Sequence, residues 1–130
     1  MTGALRIDDP VLLAEVTAAF DAYERALMTD DVATMDRLFH AAPTTTRYGV
    51  GEVLYGIDEI RAFRAGRGGS PPRTLGRVAI TVYGDRFATA AAEFARDGSD
   101  PRGRQTQSWV RFEDGWKVVA AHVSIEGHTH

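Results

Sequence analysis

From Asp9 onward, apolar residues return every three or four positions, at Leu12, Leu13, Val16, Ala19, Phe20, Tyr23 and Leu27. That spacing holds them on one side of a helix and predicts an amphipathic helix from about Asp9 to Thr29. Asp9 and Pro10 supply an N-cap and a first-turn proline, where the missing N–H is harmless. Thr29-Asp30-Asp31 interrupts the pattern, and Asp30 or Asp31 then caps a short second helix carrying Met35, Leu38 and Phe39. Pro43 closes the helical stretch. Thr44 to Tyr48 is β-branched and aromatic and predicts a short strand. Gly49, Gly51 and Gly56 punctuate a turn and a second extended piece, Glu52 to Tyr55. Ile57, Ile60 and Phe63 predict a third helix, with Asp58 and Glu59 placed favourably near its positive end. Gly66 to Pro72 reads as a loop.

After Pro72 the period changes from helical to alternating. Val78, Ile80 and Val82 alternate with Ala79, Thr81 and Tyr83, Gly84-Asp85 turns the chain, and Phe87 to Arg96 runs back. A polar loop spans Asp97 to Gly103. Gln105 to Phe112, a hairpin turn at Asp114-Gly115, and Trp116 to Ile125 complete four antiparallel strands within Arg73 to Ile125. Helices first and strands last predict an α+β fold, with three N-terminal helices packed on one face of a curved, mainly antiparallel sheet. The 130 residues suit one domain spanning 1–130, with loose ends at 1–8 and 126–130. A long sheet curled over a helical hairpin makes an open cone, closed by side chains at one end and able to hold a ligand at its mouth.

Composition narrows the chemistry. There is no cysteine, which removes disulfides, thiol nucleophiles and thiolate metal sites and suits a reducing cytoplasm. No signal-like or membrane-length apolar run is present. The net charge of -3 argues against nucleic acid as a partner. Lys117 is the only lysine; every other basic residue is arginine, the side chain suited to gripping a carboxylate in a fork.

Polar residues that point inward decide what a cone binds. Tyr23 lies on the apolar stripe of the first helix, where its hydroxyl needs either a backbone carbonyl or a pocket ligand. Arg47, within a strand of threonines, either faces solvent from a sheet edge or faces the pocket and offers its charge to an anion. Gln105, Gln107 and Trp109 share one strand face. Trp116, Val118, Ala120, His122 and Ser124 share another, so His122 is expected to be buried, as a satisfied core histidine or a pocket residue. Glu93 reads as a solvated strand position. His128 and His130 lack a third partner, and no metal site is expected.

The stretches FDAYERAL, TTTRYGVGEVLYGIDEIRAFRAGR, GRQTQSWVRF and GWKVVAAHVS resemble the AtzH-like and HpxZ-like small proteins of the nuclear-transport-factor-2-like (SnoaL-like) superfamily. The likeness runs from about Asp9 to Ser124. Thr106 departs from an expected serine, and the Gly68 to Pro72 loop is idiosyncratic. The resemblance implies a role beside amidase-family enzymes in ureide and nitrogen catabolism. One branch resembles a decarboxylating amidohydrolase acting on a small dicarboxylated urea, and the positions of its tyrosine and arginine match Tyr23 and Arg47. The other branch implies a silent binding or assembly partner of an amidase. The expected site is thus Tyr23 as proton donor and Arg47 as anion anchor, with Gln105, Trp109 and His122 shaping the pocket around a small anionic substrate, and no cofactor. Apolar and aromatic residues on both strand faces predict a homodimer through the face the helices leave bare.

Overall fold

The computed structural model describes residues 4–96 and 102–127. In chain order the elements are α1 (Pro10–Met28), α2 (Val32–Arg37), β1 (Thr46–Tyr48), β2 (Val53–Tyr55), α3 (Ile57–Arg67), β3 (Arg73–Tyr83), β4 (Phe87–Arg96), β5 (Arg102–Phe112) and β6 (Gly115–Ile125). Asp9 caps α1 through its carboxylate, which accepts from Val11 N at 3.0 Å and Leu12 N at 3.3 Å. Asp31, the second of the two candidate caps, accepts from Thr34 N at 3.2 Å and starts α2. Hydrogen bonds from Thr34 hold the Asp31 carboxyl below its ordinary pKa.

The strands form one sheet in the order β2-β1-β6-β5-β4-β3. β1 runs parallel to β6, and every other neighbouring pair is antiparallel. The concave face carries Val82 on β3, Ala88, Ala90 and Ala92 on β4, Trp109 on β5 and Val118 on β6, against Val16, Phe20, Met35, Phe39 and Ile60 from the helices. The run of alanines lets α1 approach the middle of the sheet, while the larger Phe94 stands toward the open end. No helix among the described residues is long and apolar enough to cross a membrane.

Two expectations need correction. The arm over 1–8 is in part tied down: Gly84 N donates to Arg6 O at 2.7 Å, Asp8 N to Val82 O at 2.8 Å, and Val82 N to the Asp8 carboxylate at 2.8 Å. These bonds occupy groups that the edge strand β3 would otherwise expose. At the other end Glu126 N donates to Arg102 O at 2.8 Å, while 1–3 and 128–130 lie outside the described residues.

The second correction concerns β6. Ser108 pairs with Ala120 but Trp109 pairs with Val118, so Val119 is the extra residue of a β-bulge. A bulge reverses the alternation beyond it. Trp116 and Val118 therefore face the core, but Ala121 and Val123 take the inner face further along, and Ala120, His122 and Ser124 face outward. His122 is exposed on the convex face beside Tyr48, with ring centroids 5.8 Å apart.

Trp109 has no exposed surface and sits at the centre of the core. Trp109→Ala is expected to destabilise the fold by about 3–5 kcal/mol, read as a lower midpoint in urea denaturation with an unchanged slope.

Candidate functional site

The open end of the cone encloses a cavity of about 140 Å³, walled by α1, β1, the end of α3 and the adjoining ends of β3, β4 and β5. That is small beside the roughly 300–1,000 Å³ that drug-sized ligands occupy, and it suits a metabolite of a few heavy atoms. Four arginines line it (Arg47, Arg67, Arg73 and Arg96), against one lining carboxylate, Glu52.

Arg47 is the middle residue of β1, paired with Leu54 on one side and Ala121 on the other, and only 7% exposed. Its guanidinium carbon lies 5.4 Å from the centroid of the Phe63 ring. Its Nη1 donates to Glu52 Oε2 at 2.5 Å. Glu52 reaches it by curling over the turn: its Oε1 accepts from Gly51 N at 3.1 Å, and its carboxylate lies against the α-carbon of Gly49. A side chain at Gly49 would overlap that carboxylate. The RYGVGE segment is therefore a device for laying a carboxylate on an arginine. One carboxylate oxygen thus engages one terminal nitrogen of Arg47.

Tyr23 lines the same cavity and is 5% exposed. Its hydroxyl accepts from Arg64 Nη2 at 3.4 Å, so its partner is a side chain and no backbone carbonyl is needed. Arg64, 3% exposed, also donates to Asp36 Oδ1 at 2.8 Å and covers Phe39 at 4.2 Å. With Arg64 donating, the hydroxyl's own proton is directed elsewhere.

Gln105 is also in the wall, inside a buried network. Its Nε2 donates to Glu24 Oε1 at 3.1 Å, and its Oε1 accepts from Arg73 Nη2 at 2.9 Å. Arg73 closes the triangle with a second-prong bond to Glu24 Oε2 at 3.3 Å and an Nη2 ion pair to Oε1. The Phe94 ring supports Arg73 from below, at 4.3 Å.

Of the five expected residues, Tyr23, Arg47 and Gln105 come together. Trp109 does not join them: it is fully buried, donating from Nε1 to Gln107 Oε1 at 3.0 Å, and does not line the cavity. His122 is on the opposite face of the sheet because of the bulge at Val119. Glu93 is exposed as expected. Sequence reasoning missed Glu24, Glu52, Arg64, Arg67 and Arg73. A signal existed for two of them: Glu24 falls four residues after Phe20, and Arg64 four after Ile60, each on an apolar stripe.

A cone of helices on a curved sheet, with its polar groups gathered at the mouth, is the architecture of nuclear-transport-factor-2-like proteins, and solved structures of that fold superpose on it. A nuclear-transport-factor-2-like protein of Salmonella enterica matches with a TM-score of 0.74 at 25% identity, over 92% of this chain and 94% of its own. The chain belongs to the AtzH-like family, whose model matches residues 5–129. A Pectobacterium atrosepticum protein of unknown function is 50% identical, with a TM-score of 0.91 over 93% of this chain and 95% of its own. A cystatin-like fold protein of Burkholderia xenovorans is 43% identical, with a TM-score of 0.91 over 97% and 100%. No curated protein matches the chain. Fold and family together suggest a small-molecule-binding or enzymatic role.

If Glu52 competes with a ligand for Arg47, removing its charge frees the fork. Glu52→Gln is expected to tighten binding of a small carboxylate about tenfold, or about 1.4 kcal/mol, by isothermal titration. Gly49→Ala, which displaces the same carboxylate sterically, should act in the same direction. Unchanged affinity with a lower melting temperature in both variants would make the pair structural.

Proposed function

We propose that the protein is a decarboxylating amidohydrolase acting on a small ureido carboxylate or dicarboxylate in nitrogen catabolism. The observation that carries this reading is that the Tyr23 hydroxyl and the Arg47 guanidinium line one small cavity with a cationic wall. Loss of carbon dioxide from an N-carboxylated urea asks for little machinery. The N–C bond breaks and its electron pair remains on nitrogen, conjugated with the ureido carbonyl. A proton on that nitrogen and a cation beside the carbonyl oxygen suffice, so no metal is required by the chemistry. Tyr23, whose oxygen accepts from Arg64 and whose proton is thereby available, is the donor. Arg47 stabilises charge on the oxygen. It also anchors the ligand's anionic end at the reacting side, a contact that contributes to binding more than to the rate. Solvent then reprotonates Tyr23.

One observation favours a second reading, a silent binding or assembly partner of an amidase: Arg47 already holds Glu52. The two separate on the isolated protein. Turnover of small ureido carboxylates, followed by carbon dioxide release, is expected without any partner. Tyr23→Phe should lower kcat by about 10²–10⁴-fold while leaving ligand affinity nearly unchanged. Arg47→Lys keeps the charge but loses the fork and should weaken binding. No turnover alone, with capture of a cognate amidase, would support the second reading.

The outer face of the sheet supports a homodimer within the same proposal. Tyr48, Val53 and Tyr55 are exposed at one edge and Tyr83 and Phe87 at the other, with Ala91, Thr106, Ser108 and Ala120 between them. Large residues at both rims and small ones at the centre make a shallow saddle that a second copy can fill across a two-fold axis. Light scattering at micromolar concentration should give twice the monomer mass, and Ser108→Arg at the centre should return it to one.

A further inference from the structure

Among the described residues, the cations around the cavity do not all meet a carboxylate, and neither Arg67 nor Arg96 does. Arg47 has Glu52, and Arg73 has Glu24 and Gln105. Arg67 differs: it lines the cavity, and its Nε is buried without an acceptor among the described residues. Buried donors find partners in the great majority of cases, and an exception calls for a reason.

Local structure explains how the side chain is held. Arg67 is the last residue of α3, and Gly68 and Gly69 then turn the chain with φ of 78° and 104°. Its guanidinium carbon rests 5.2 Å from the Phe63 ring centroid, and Arg47 sits 5.4 Å from the same centroid. One aromatic ring thus supports two cations. Ring attraction offsets only part of the cost of taking the Nε side of the Arg67 guanidinium out of water. Burial first, and the Arg47 charge second, push the Arg67 pKa down from its ordinary value. An anion in the cavity would offset both effects with its own charge.

We propose that Arg67 is a ligand-binding residue: its guanidinium, with Nε–H among its unspent donors, receives an anionic group of the ligand at a point separate from Arg47. The cavity is then two-ended and selects short ligands carrying two anionic groups over those carrying one. In the decarboxylation described above, on which this inference rests for its substrate class, Arg67 anchors the anionic end that stays while Arg47 serves the reacting end. The specificity residue is therefore distinct from the proton donor.

The test compares malonate with monomethyl malonate, nearly equal in size and differing by one charge, by isothermal titration at constant ionic strength. The wild-type protein is expected to prefer malonate about tenfold or more, as a second charge-assisted contact allows. Arg67→Gln should level the two ligands by weakening malonate alone, and Arg67→Lys should keep only part of the preference. The empty Arg67→Met protein should melt no lower than wild type, because a partly desolvated cation with an unpartnered buried donor has gone; a structural arginine would give a lower melting temperature and an unchanged preference. An unaltered preference in Arg67→Gln, or no affinity of the wild type for malonate, overturns the assignment. If Arg67→Gln loses the preference while the wild type turns over no ureido carboxylate, the catalytic reading falls and this one stands. The converse holds if turnover is found and the Arg67 variants discriminate as wild type does.

Discussion

Much of this structure follows from the requirement that a guanidinium taken out of water must meet an anion or an aromatic face. Arg47, Arg64 and Arg73 each enter the interior at the mouth of the cone, and each is met by a carboxylate: Glu52, Asp36 and Glu24. Each also rests on a ring, Phe63, Phe39 or Phe94. The carboxylates come from three different places, namely a turn, α2 and α1. The Arg73–Glu24 pair ties α1 to β3, the Arg64–Asp36 pair ties α3 to α2, and the Arg47–Glu52 pair holds the turn onto β1. Breaking one partner of such a pair leaves a buried charge behind, which is why the network has to be satisfied as a set.

That requirement also shapes the backbone. Gly49 has no side chain because the Glu52 carboxylate lies where one would be. Gly103 likewise leaves room for the Phe94 ring, against which Arg73 stacks. Alanines at 88, 90 and 92 leave room on the concave face for the larger core side chains, and the consecutive α1 residues Tyr23 and Glu24 are both buried, Tyr23 lining the cavity and Glu24 held by Arg73 and Gln105. Structural and chemical roles are hard to separate here. The Arg64 that braces α3 against α2 is the same group that orients the tyrosine hydroxyl.

The site differs from the usual picture of an acid–base pair in an apolar pocket. Its carboxylates are engaged with arginines, and the proton donor in the proposed reaction is a hydroxyl. Such a lining presents an excess of positive charge to the cavity, which is what the proposed anionic ligand requires. The Glu52 contact adds a competitor inside the site, so a ligand must displace one carboxylate to gain the full Arg47 fork.

The sequence by itself determined the elements and their order. Helical periodicity over Leu12 to Leu27, the caps at Asp9 and Asp31, and the switch to alternation after Pro72 all arise from interactions within a few residues of one another. Tyr23 was legible from the apolar stripe it interrupts, Arg47 as a lone charge in a strand of threonines, and Gln105 from the face it shares with Gln107 and Trp109. Tertiary structure alone decided the rest. One unpaired residue, Val119, turned His122 from the inner face to the outer, and no local pattern marks a bulge that exists only through pairing with β5. The partners Glu24 and Arg73, 49 positions apart, meet only when α1 closes over the sheet. Arg67 fell within the Gly66 to Pro72 stretch read as a loop, and only the fold extended α3 to it and placed it beside Arg47 on one ring. A charge's environment is set by every element packed around it, and the chain's own order does not contain that sum.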